Sequence, residues 1–98
     1  MNEPRQSLSL QPAALSVPVF NCIVHVLRDG GGSVTARCAN LPNLSYTAAT
    51  EREVLSKVVT EFKRRTREQH EDGTAIEWIE PPSPKTAEEQ TRLIPVHL

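Results

Sequence analysis

Aromatic side chains are scarce in this 98-residue chain: Phe20, Tyr46, Phe62 and Trp78 are the only four. Any core must therefore be built mostly from aliphatic residues. An excess of either charge is lacking too, with 11 Lys+Arg against 12 Asp+Glu and a formal net charge of −1. A dedicated phosphate-backbone binder is usually a clearly basic domain, so the overall balance argues against nucleic acid as the main partner. No stretch approaches the roughly 20 apolar residues of a transmembrane helix, so no membrane partner is expected. The opening residues, Met1 to Ser7, show no charged region followed by an apolar run of the secretory kind. The expectation is a cytoplasmic chain whose two cysteines, Cys22 and Cys38, sit in a reducing compartment.

Length points to one domain. Residues 1–16 are polar, carry Pro4 and Pro12, and keep no steady period, which reads as a flexible N-terminal arm. The domain itself is expected over 17–82. Residues 83–98 read as a C-terminal linker and a candidate edge strand. A compact part of about 60–65 residues is stable by a narrow margin, and a partner or a second copy would help it.

From 17 to 28 the sequence alternates as a strand does. Phe20, Cys22, Val24 and Val26 share one face, while Asn21, Ile23, His25 and Leu27 share the other. Asp29-Gly30-Gly31 follows between two apolar runs and predicts a hairpin. A phosphate-cradling glycine loop would need a helix directly after it, and a strand follows instead. Residues 33–39 alternate again, with Val34, Ala36 and Cys38 inward and Thr35 and Arg37 outward. Asn40 to Leu44 form a turn, and residues 45–48 a short third strand. Thr50 and Glu53 make a T-x-x-E helix start. After it Val54, Leu55, Val58, Val59 and Phe62 recur as one apolar stripe, and Gly73 supplies the helix stop. Residues 74–80 resume an alternation that reads as a final strand, with Ile76 and Trp78 on one side. In the last segment Pro95 cannot donate to a ladder, so this tail is either an edge strand or packs on a neighbouring molecule. The predicted class is α+β, β-β-β-α-β: an antiparallel three-stranded meander, one amphipathic helix on one face, and a further strand.

No constellation of catalytic residues stands out, and the chain reads as a binder, not an enzyme. The three histidines, His25, His70 and His97, lie far apart in the sequence, and two cysteines fall short of a four-ligand zinc site. No metal or cofactor is expected. The cysteines read as two small buried thiols or, in some strand registers, as partners in a bridge across the hairpin. With the helix on one face, Ile23, His25, Leu27 and Arg37 remain on the open face and form the candidate partner-binding surface. The one basic run, Lys63, Arg64, Arg65 and Arg67, reads as a helix-end charge pattern with i, i+4 pairs Glu61–Arg65 and Arg64–Glu68. Its alternative reading is a patch for RNA phosphate or an acidic partner.

Residues 20–82 also resemble the N-terminal domain of the HicB antitoxin family. The resemblance rests on the Asp29-Gly30-Gly31 turn, the Leu41-Pro42-Asn43 turn, the Thr50/Glu53 helix start and Pro81-Pro82 after the last predicted element. It implies a partial RNase-H-like β-β-β-α-β unit that binds and masks a small RNA-cleaving toxin, without the DNA-binding module that commonly follows. Where the family often has Asp and Gly in the turn after the second strand, this chain has Asn40 and Asn43. The expected partner is a small toxin-like protein or a second copy of the chain, as in a homo-oligomer such as a dimer.

Overall fold

A computed structural model describes residues 17–98. The predicted arm, 1–16, lies outside the described residues. The elements are β1 (Val19–Arg28), β2 (Val34–Cys38), β3 (Ser45–Ala48), α1 (Glu51–Asp72) and β4 (Gln90–His97). All strands are antiparallel in one sheet of order β3-β2-β1-β4, with α1 across one face. The protein is thus the α+β fold its patterning predicts.

The hairpin forms where a side chain organises it. Asp29 Oδ1 accepts from the N–H groups of Gly31 at 2.8 Å and Ser33 at 3.2 Å, and Gly32 takes φ 96°. Such positive φ carries no steric penalty at glycine. After β2 the chain turns through Asn43, at φ 55°, one of the few non-glycine types that visit the left-handed region readily.

The helix begins and ends as its capping residues dictate. Thr50 Oγ1 accepts from Glu53 N–H at 3.1 Å, and Gly73 closes the last turn in the left-handed conformation at φ 70°. Thr74 N–H then bonds back to Gln69 O at 2.9 Å, which satisfies a carbonyl the helix would otherwise leave open. Val54, Val58 and Phe62 are buried completely, with Leu55 and Val59 packed at the margin. They lie on Cys22, Val24, Val26, Val34, Ala36 and Val96, the inward residues of three strands. Burying each large apolar side chain contributes about 1.5–3 kcal/mol. Thr66 continues the buried stripe because its hydroxyl bonds back to Phe62 O at 2.8 Å. Glu51 in the first turn holds both Arg28 (2.7 Å) and Arg92 (2.8 Å), which ties α1 to β1 and β4.

Two expectations are corrected. Residues 74–80 are not a strand. Trp78 does pack inward, with its ring 5.3 Å from Phe20 and 6.0 Å from Phe62. However, the segment crosses the end of the sheet and does not run along it. Ile79 N–H bonds to Asn40 O, whereas Ser83 N–H, four residues on, bonds to the adjacent Ala39 O. A ladder would advance equally on both sides, and three nearby prolines (Pro81, Pro82, Pro84) have no N–H to offer. The fourth strand is instead β4, in the C-terminal segment, paired with β1 from Val19↔His97 to Val26↔Gln90. Leu98 N–H bonds to Pro18 O, so even-numbered residues of β4 face β1 and Pro95 lies on the outward side. The missing donor is therefore one the sheet never needed.

Candidate functional site

Odd-numbered residues of β1 point to the face opposite the helix, as do Thr35 and Arg37 of β2. This face is not open along its whole length, which corrects the second expectation. Having crossed the end of the sheet, residues 83–89 form a strap over its middle. His25 lies beneath the strap and is only 5% exposed. Its Nε2 is 2.6 Å from Ser83 O, and its Nδ1 is 2.9 Å from Thr91 Oγ1. A carbonyl only accepts, so Nε2 carries the proton and donates it to Ser83. Both ring nitrogens are engaged, and the imidazole acts as a strut.

Arg37, the register partner of His25, is engaged as fully. Its Nε and one terminal nitrogen donate to both oxygens of Glu89, at 2.7 and 2.8 Å. The guanidinium also reaches Ser83 Oγ and Pro84 O, each at 2.8 Å. Glu89 is buried at 7% exposure. Arg37 above all, with Thr86 N–H, holds its carboxyl down to about 2. The bidentate fork is the strong form of such a pair. Sequence patterning gave no sign of this clamp, because Glu89 lies 52 residues from Arg37.

The strap divides the remaining face. On one side Ile23, half-buried, sits opposite Leu93 of β4, which is 68% exposed, and Val19 is exposed beyond them. On the other side Leu27 lies exposed beside the hydroxyl pair Thr35–Thr47. Of the four predicted surface residues, Ile23 and Leu27 stay accessible, while His25 and Arg37 are occupied by the strap. Leu93 and Val19, which the sequence reasoning missed, extend the strip that Ile23 begins. The signal for Leu93 was alternation within the C-terminal segment, where it shares parity with Pro95, and for Val19 its shared parity with Ile23 in β1. A groove of about 270 Å³ adjoins this strip, lined by Phe20, Ile23, Trp78 and Pro82 together with the polar Asn21, Asn40 and Glu80.

The basic run does not gather into one patch. Arg65 leans off the helix and donates to Pro42 O at 2.7 Å, Asn43 O at 2.9 Å and Glu61 at 2.8 Å. Arg64 pairs with Glu61 at 2.7 Å and Glu68 at 3.4 Å, and Arg67 reaches Leu98 O at 3.1 Å. The two i, i+4 pairs expected from spacing are both present. Arg64 first, then Arg65, hold the Glu61 carboxyl down to about 2. Lys63, Arg64 and Arg67 do line one open groove of about 510 Å³, but Glu68 and Glu71 line it as well.

Among the described residues no group of three or more His, Cys, Asp or Glu side chains is placed to hold a metal ion. No helix among them is long and apolar enough to cross a membrane. Cys22 and Cys38 are free thiols buried on the helix side of the sheet. Comparison with family models, curated proteins and solved structures finds no match to this chain.

Proposed function

We propose that this domain is a small protein-binding module of the HicB-like kind, working in the cytoplasm, whose partner is a small toxin-like protein or a second copy of itself. The observation that carries this reading is the two-thirds exposure of Leu93 beside Ile23 on the sheet face. A large aliphatic side chain held out from a strand, with Val19 and a groove of mixed lining next to it, is the composition of a contact surface. The strap supports the reading further. With His25 and Arg37 held beneath it, the accessible part of this face includes the aliphatic side chains of Ile23, Leu27 and Leu93.

The experiment is co-purification from the native host, together with light scattering across a concentration series. A small protein that accompanies the wild type but not Leu93→Glu supports the reading. A self-association that the same substitution abolishes supports it equally. A lone monomer at every concentration, with no small partner, refutes it. The alternative, RNA binding through Lys63, Arg64 and Arg67, draws on the groove along α1, but acids line that groove too. Three phosphate contacts would give a salt dependence with a log–log slope of about −2 to −3. A flat response removes it.

A further inference from the structure

Three rows of the β1–β4 ladder carry the accessible strip: Val19 opposite His97, Asn21 opposite Pro95, and Ile23 opposite Leu93. Ile23 is half-buried and the other five are exposed. In the next row His25 lies beneath the strap, so the strip ends there at a step. From Val19 to Ile23 is four residues of strand, about 13 Å.

Charge and hydrogen bonding both suit this strip to its own copy. None of the six side chains is an acid, a lysine or an arginine. Arg92 of β4 turns to the helix side, where it holds Glu51, and Glu80 lines the groove alongside. A surface without formal charge meets its own image with no like-charge repulsion. It also offers little by which to select a different, charged partner. The polar member of the middle row is Asn21, whose carboxamide is both donor and acceptor. Two copies related by a two-fold through that row can exchange a pair of N–H···O bonds between these amides.

We infer that this strip is the interface of a symmetric dimer, in which a second copy lies face to face on it about a two-fold axis through the Asn21–Pro95 row. The inference rests on the reading of this face as a contact surface and narrows its partner to the chain itself.

Such an axis brings opposite end rows together, as a self-complementary interface requires. Leu93 of one copy, 68% exposed, packs on Val19 of the other, 47% exposed, and the same contact repeats on the far side of the axis. The strap of each copy then lies against the Val19 end of the other, which fixes the offset of the two sheets. A two-fold closes the assembly at two copies. The strip is two strands wide and short, less than a standard interface, so the dimer is weak and forms as concentration rises.

The test is sedimentation equilibrium on the folded 98-residue protein over a wide concentration range. The wild type should pass from monomer to dimer and no further. Leu93→Glu and Val19→Lys should each raise the dimer dissociation constant at least about tenfold. An equal mixture of the two should recover dimer, because the introduced charges then face each other. Leu27→Glu, a like change at an exposed position beyond the strap, should leave the dimer intact. Circular dichroism confirms that each variant is folded. Should one not fold, Asn21→Asp replaces it, since it keeps the shape and sets two carboxylates against each other at the axis. A wild type that stays monomeric, a dimer that survives Leu93→Glu, a mixture that stays monomeric, loss of the dimer in Leu27→Glu, or growth beyond two copies would each overturn the inference. If a monomeric wild type still co-purifies with a small protein that Leu93→Glu loses, the contact surface stands and only the symmetric dimer falls. With no such protein, both fall.

Discussion

Replacing Glu89 by glutamine keeps its shape and its acceptor for Thr86 but removes the charge that Arg37 holds. In the native fold that carboxyl sits at about 2, against an ordinary value of 4.5. The difference caps its contribution at roughly 3 kcal/mol at neutral pH. Solvent around Arg37, whose side chain is 32% exposed, screens this to about 1–2 kcal/mol. For a domain of this size that lowers the melting temperature of Glu89→Gln by about 5–15 °C. A carboxyl depressed by folding contributes fully above its unfolded value and loses its contribution as pH falls through the folded one. The wild type should therefore weaken from about pH 4.5 toward about 2, and the gap to the variant should close over the same window. Thermal melts by circular dichroism at pH 7, 4 and 2 measure both effects. A variant within about 2 °C of wild type at pH 7 would refute the argument, as would a gap that persists at pH 2.

Asn40→Ala deletes the amide that stands in for a backbone pair and leaves Ile23 N–H and Asn21 O without their partners. A loss of about 2–3 kcal/mol is expected, read as a lower urea midpoint at unchanged slope. Thr50→Ala removes the helix cap and should cost about 1 kcal/mol, whereas Thr50→Ser should stay within a few tenths by the same measurement. Phe62→Ala opens the core beneath Trp78 and should cost about 3–5 kcal/mol, enough to unfold a marginal domain. Tryptophan fluorescence would then shift to the red at room temperature.

The parts of the fold visible in the sequence are those governed by near neighbours. The Asp29 turn, the Thr50 cap, the Val54–Val58–Phe62 stripe and the Gly73 stop each act over a few residues, and each is where the patterning puts it. The misread segment, 74–80, shows the limit of that approach. Its alternation is real, because Ile76 and Trp78 both pack on the core. Alternation reports which side chains are buried but not where the N–H groups go: here Thr74 bonds back to Gln69 O, Trp78 to Ile76 O, and only Ile79 reaches across to Asn40 O. The clamp over His25 was illegible for a related reason. It joins Arg37 to Ser83, Pro84 and Glu89, and only a folded chain brings these together. The exposed strip was half visible. Ile23 and Leu27 came from β1 alone, but Leu93 needed the pairing of β4.

Pro95 has a consequence for how another molecule can approach. With no hydrogen to give at the centre of its outward side, β4 makes a poor template for a strand arriving alongside it. Growth of the sheet in that direction, copy upon copy, would break its hydrogen-bond run at this proline. Leu93, exposed on the face of the same strand, thus lies beside a margin whose outward hydrogen-bond run is interrupted, which disfavours fibre-like stacking along that edge.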